Sequence, residues 1–326
     1  MSDSNSYVPF FTNYYTILFF TATFLQFLLI YLITAKSPPT LDNLKCFLYN
    51  TCFTQLMLIF LSCLSQHRTL TNTDSLAVLV LGPSKRFGPK FSFSIYHCFL
   101  GSSMATGSAI SITVLFRYLV LVKNSITQKH NYIMIACTYI APFFVVITPF
   151  TDTWNFEKVQ RTTRLEHPSY NLSIYDPFPG FADVTSFQFL FATLILTIGA
   201  YGIPLVCFFL TRKVLVLIRY HQNMSDKTKK QAQTLVRGLL LQSVLPCACY
   251  IPMFSSYIYT QTTGREVLIS EHLILATSAF PGFGDPFISF YFIVPYRIAI
   301  LEFLRLKKKD DGNFVKVTIN STSGVQ

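Results

Sequence analysis

Charge is what this sequence has least of. Lys, Arg, Asp and Glu together supply 13% of its 326 residues, against about 25% in a typical water-soluble domain, so a chain built to dissolve in water is excluded. With 51% hydrophobic residues it is not disordered, and 13 glycines in no repeat exclude collagen. None of the eight cysteines falls in the connector 152–185, which argues against a disulfide scaffold. Catalytic signatures are missing too. There is no His-Glu-x-x-His, no Gly-x-Ser-x-Gly, no phosphate-cradling glycine loop and no pair of intramembrane carboxylates, so neither an enzyme nor a cofactor or metal site is expected. The start lacks the charged region and cleavage site of a signal peptide, so residues 14–34 are expected to be a retained first span.

What the chain has instead is apolar bulk, with 33 Phe and 18 Tyr and a mean hydropathy of +0.43. The apolar residues are blocked into seven windows, about 14–34, 46–65, 93–116, 132–151, 186–210, 235–258 and 271–294. Each is long enough to cross the ~30 Å hydrocarbon core and is read as a helix, because lipid offers backbone groups no hydrogen bonds. The expected fold is an all-α integral membrane protein, a seven-helix bundle. An odd span count with no internal repeat disfavours a two-fold inverted-repeat transporter.

Basic residues set the orientation. With the N-terminus outside, 18 of the 26 Lys and Arg fall in inner connectors; with five acids there, the inner side carries +13 and the outer side −1, Asp285 within the last span completing the total of +11. The excess positive charge thus marks a membrane face, not nucleic acid. Residues 1–13 are expected outside, 14–309 as the seven-helix transmembrane domain with an amphipathic helix at about 295–309, and 310–326 as a disordered cytoplasmic tail. Asn171-Leu172-Ser173 is an outer N-glycosylation sequon, whereas the sequons at Asn223 and Asn320 fall inside. Cys63 and Cys98 are either a disulfide near the outer surface or buried small apolar residues, the latter being the commoner state.

Polar residues inside the spans are the candidates for function. A carboxylate in a membrane helix is expensive, so Asp285 is expected to face the interior, with Asn50, Thr54 and Gln55 of the second span as partners. Pro286 beside it suggests a hinge, against the plainer alternative of a static packing contact. Gln242 needs an internal partner in a sixth span bent by Pro246 and Pro252. Arg117 and Tyr118 close the third span, either snorkelling or meeting a cytoplasmic partner.

The order of motifs resembles the nematode serpentine chemoreceptors, and within their Str superfamily the class delta (Srd) receptors. The matching stretches are Leu29-Ile30-Tyr31-Leu32-Ile33 with Lys36-Ser37-Pro38, then Leu81-Gly82-Pro83-Ser84-Lys85-Arg86-Phe87-Gly88-Pro89, Phe116-Arg117-Tyr118, Gln242…Pro246…Tyr250-Ile251-Pro252, and Asp285-Pro286 with Tyr296-Arg297. The resemblance implies a G-protein-coupled receptor in the plasma membrane of sensory neuron cilia that detects a small environmental molecule and activates a heterotrimeric G protein. It also implies that Arg117 and Tyr118 stand for the Asp/Glu-Arg-Tyr motif of rhodopsin-like receptors and Asp285-Pro286 for their Asn-Pro-x-x-Tyr. Phe116 replaces the acid, and Tyr291 lies one place beyond the usual tyrosine. Ser84 and Ser92 stand where the family's outer loop carries two cysteines, which implies a lost disulfide.

A small apolar ligand is expected among the outer halves of the third, fifth, sixth and seventh spans, near Tyr96, His97, Gly101, Met104, Phe187, Phe191, Tyr250, Phe254 and Phe280, since small-molecule sites are apolar with a few polar groups. For any one of these residues, plain packing is the alternative. A ligand-gated channel or transporter, and a membrane protein without a signalling role, are the other readings.

Overall fold

The computed structural model describes residues 5–123, 127–220, 226–265 and 267–304. Asn223, Asn320 and the tail 310–326 lie outside these residues, as do positions 305–309 of the expected amphipathic helix. Seven helical spans cross the molecule. The first three are single helices, α1 (Val8–Lys36), α2 (Asp42–Ser65) and α3 (Pro89–Lys123). The fourth is made of α4 (Gln128–Cys137) and α5 (Ile140–Ile147), separated by a turn just before Pro142. After α6 (Phe156–Glu166), which lies outside the bundle, come the fifth and sixth spans, α7 (Phe187–Tyr220) and α8 (Asp226–Thr263). The seventh is α9 (Leu268–Ala276) and α10 (Phe280–Phe292) with a single 3₁₀ turn between, followed by α11 (Val294–Phe303).

Each expected window has its helix, but the helices run on. The third extends to Lys123 and the fifth to Tyr220, because a helix can continue into the interfacial zone after its apolar stretch has ended. At the start, Pro9 sits in the first turn of α1, a position where its missing N–H costs nothing. The helix therefore begins at Val8 and takes up part of the segment expected to precede it.

α1 shows why these helices belong in lipid. Phe11, Tyr15, Leu18, Ala22, Gln26 and Leu29 recur every three or four residues and are buried, while Phe10, Ile17, Phe20, Phe24 and Phe27 on the opposite face are each more than half exposed. A helix apolar on both faces is stable only when one face meets hydrocarbon. The chain is a multi-pass membrane protein.

The sequence reading did not anticipate a sheet. β1 (His67–Thr71) and β2 (Leu76–Val80) form an antiparallel hairpin with His67 opposite Val80, and β3 (Gly180–Phe181) adds to β2 with Leu76 opposite Phe181. α2 enters the hairpin through Gln66, whose φ of 45° turns the chain sharply. Leu76, Val78 and Val80 pack down on Leu58, Phe93, Tyr96 and Leu275 of the bundle. Ala77 and Leu79 pack up against Val159 of α6 and Tyr175 and Phe178 beyond it. The connectors between α2 and α3 and between α5 and α7 thus form a second layer over one end of the bundle. That end is called the sheet end below, and the opposite end the tail end. All eight cysteines are free thiols, so Cys63 and Cys98 are unlinked.

Candidate functional site

Beneath the sheet lie two adjoining chambers that share Leu100, Leu196, Met253 and Phe254 as walls. The sheet-end chamber, a cavity of about 60 Å³, is bounded by Tyr96 and His97 of α3, Phe189 of α7, Tyr257 of α8, and Thr69 and Phe181 from the sheet. The mid-bundle chamber, a cavity of about 40 Å³, is bounded by Ser103 and Met104 of α3, Gly199 and Pro204 of α7, and Pro246 and Tyr250 of α8. Tyr96, His97, Met104, Tyr250 and Phe254 therefore line cavities. Gly101 does not: it is buried where a Cβ would lie 2.4 Å from Val146 Cγ2, so it serves the contact between α3 and α5. Phe280 and Phe187 point outward, 39% and 72% exposed. Their contribution to hydropathy was visible in sequence, but the face they occupy was not.

The sheet end is closed by charge as well as by packing. Arg68 of β1 donates from Nε (3.0 Å) and Nη2 (2.8 Å) to Glu271 Oε2 of α9, and Tyr170 OH donates to Glu271 Oε1 at 3.1 Å. Arg68 Nη1 donates to Tyr175 OH at 3.1 Å. Burial works against the guanidinium charge, but Glu271 and Tyr175 more than offset it and raise the Arg68 pKa. Nearby His67 is pushed down to about 3, by burial first and then by the adjacent His97.

Below the chambers, Asp285 is 2% exposed on α10, facing Gln55 of α2 and Gln242 of α8. Of the three expected partners only Gln55 is near. Asn50 accepts from Tyr139 OH at 2.5 Å, and Thr54 donates back to its own helix at Thr51 O. Gln26 of α1, which sequence reading passed over, donates from Nε2 to Gln55 Oε1 (2.6 Å) and to the Gly282 carbonyl (2.7 Å). A lone glutamine in a 29-residue apolar helix was the available signal. The Gly282 backbone can come this close because a Cβ there would meet Ile59 Cδ1 at 2.8 Å. Gln242 donates to Ser289 Oγ at 2.9 Å, joining α8 to α10 one turn from Asp285. Pro286 lies within an unbroken α10, and the interruption of the seventh span falls earlier, at Thr277–Ala279.

At the tail end, Phe116 stacks on Phe47 at 4.5 Å, and Tyr118 packs with Val214, Ile218 and Val236 of α7 and α8. Arg117 between them has Nε and one Nη buried without a hydrogen-bond partner. Tyr291 does not reach this interior: it is 61% exposed and lies under the Arg297 guanidinium. Tyr296 of α11 is the inward tyrosine, fully buried with its hydroxyl 2.5 Å from Ser37 Oγ; burial pushes its pKa up to about 12.

The profile described as serpentine type 7TM GPCR chemoreceptor Srd matches residues 11–302. The chain belongs to this Srd family of serpentine chemoreceptors. Among its Srd relatives in Caenorhabditis elegans, serpentine receptor class delta-59 is 58% identical over 323 residues, 99% of each chain. Serpentine receptor class delta-51 is 28% identical, covering 89% of this chain and 86% of the relative, and class delta-50 is 28% identical with 88% of each covered.

Proposed function

We propose that this Srd chain is a chemosensory G-protein-coupled receptor that detects a small molecule in the paired chambers and activates a heterotrimeric G protein at the tail end. The carrying observation is the path of α8. Its Tyr250 and Phe254 wall the chambers, its Gln242 bonds to Ser289 beside Asp285, and its Val236 packs with Tyr118 next to Arg117. A ligand that favours one arrangement of α8 changes the surface around Arg117 by its difference in affinity between the two states, and by no more. Arg117, with no acid at Phe116 and unmet donors, is the group a G protein takes up.

In this reading the N-terminus and the sheet end face outward and Asn171 carries a glycan. The tail end and residues 310–326 are cytoplasmic, and the receptor sits in the plasma membrane of sensory cilia. The inner excess of Lys and Arg supports that orientation. The test is expression of the full chain in cells with a second-messenger readout and a diverse odorant panel. Arg117→Ala, matched to the parent for surface level, is expected to reduce ligand-evoked signalling by tenfold or more while ligand binding persists. Unchanged signalling sinks the assignment of Arg117.

A further inference from the structure

The sheet-end chamber is mostly apolar, its polar lining side chains being His97, Thr69 and Thr193 with the tyrosines Tyr96 and Tyr257. None of its lining residues is Lys, Arg, Asp or Glu. His97 is fully buried, held by the rings of Phe93 at 4.4 Å, Phe181 at 5.4 Å, Tyr96 at 5.5 Å and Phe150 at 6.0 Å. Neither of its ring nitrogens has a hydrogen-bond partner. Thr69, 3% exposed, also lines the chamber and has a buried hydroxyl without a partner.

The strand explains why that hydroxyl is unmet. Thr69 pairs with Val78, which packs down into the bundle, so both side chains leave the sheet on the bundle side. Helical threonines such as Thr106 and Thr113 donate to the carbonyl four residues back; a strand offers Thr69 no such acceptor. Buried polar groups are ordinarily satisfied, and exceptions call for an explanation. Here two exceptions from separate elements line one cavity.

We infer that His97 and Thr69 form the polar anchor of the chamber, and that its ligand is a small uncharged molecule with an alcohol or carbonyl oxygen on an apolar frame. A neutral imidazole offers one donor and one acceptor, and a hydroxyl offers both, so the pair can receive C=O or O–H. The walls offer no counter-charge to offset the desolvation of an ammonium or carboxylate. A bare hydrocarbon leaves the three polar atoms unmet.

The inference rests on the receptor reading for the purpose of the site, but it is tested by binding alone. The full-length receptor, purified in detergent, is scanned for ligand-induced shifts in Tm with compounds that share a carbon skeleton and end in hydrogen, hydroxyl, ketone, carboxylate or amine. The alcohol or ketone members are expected to raise Tm, and the ionised and hydrocarbon members to have no effect. His97→Phe and Thr69→Val are each expected to weaken that binding roughly tenfold, about the value of one lost hydrogen bond, and His97→Gln to restore part of it.

Without ligand, His97→Phe is expected to match or exceed the parent Tm, because it removes unmet polar atoms; a purely structural histidine predicts a fall. Tighter binding of a charged analogue, no shift with any neutral oxygenated compound, or unchanged affinity in both His97→Phe and Thr69→Val overturns the inference. Binding as described without a second-messenger response fails the receptor reading alone.

Discussion

Arg68 and Arg117 receive opposite treatment from the same fold. Arg68 is 1% exposed, yet three of its nitrogens are committed to Glu271, Tyr175 and Asn5. Removing one member of a buried pair costs about 3–5 kcal/mol, whereas replacing both by apolar groups of similar volume is often neutral. Glu271→Ala is accordingly expected to lower the detergent Tm sharply, and Arg68→Met with Glu271→Leu to recover most of the loss. An additive double variant contradicts this account of the lid. Asp285 was legible as an interior residue because a carboxylate in an apolar run has few places to go. The Arg68–Glu271 pair was not, since its members lie 203 residues apart and each, read locally, is an ordinary charge at a span boundary. His97 was legible as a candidate cavity residue beside the alternative of plain packing; the fold shows that it lines the chamber with its ring nitrogens unmet.

The spans were legible as elements because a membrane helix must be long and apolar along its whole length. β2 was hidden by the same rule. Leu76-Ala77-Val78-Leu79-Val80 is buried on both faces, so it lacks the alternation that marks a half-exposed strand, and it is too short to read as a span. Its pairing with β3 depends on close approach: a Cβ on Gly180 would lie 2.2 Å from the Leu76 carbonyl oxygen and 2.8 Å from Val159 Cγ1. Gly180→Ala is expected to cost roughly 1–3 kcal/mol through overpacking, read as lower Tm and lower surface yield. Gly107→Ala serves as control, its nearest neighbour being an ordinary 3.6 Å away. Equal losses in the two variants would show that β3 pairing is dispensable. The interruption of the seventh span also escaped sequence reading, because Pro286 is the conspicuous breaker while Thr277–Ala279 carries no proline or glycine.

Over the whole molecule, the charge asymmetry and the fold meet at Asn171. It is exposed at the sheet end, where its side-chain oxygen accepts from Ser173 Oγ at 2.6 Å. If that end faces outward, glycosidase treatment is expected to shift the parent chain by one glycan, Asn171→Gln is expected to abolish the shift, and an N-terminal tag to be stained on intact cells. Staining only after permeabilisation reverses the orientation.

The two-sided burial of β2 has a consequence for how this receptor can diversify. Loops between spans are usually where a membrane protein accepts insertions and rapid change. Here the connector between α2 and α3 is core for most of its length, its exposed positions being Thr73 and Asp74 at the hairpin tip and Pro83, Arg86 and Phe87 before α3. The roof above the chambers therefore changes only in concert with the bundle it covers, and free variation in this connector falls to its few exposed positions.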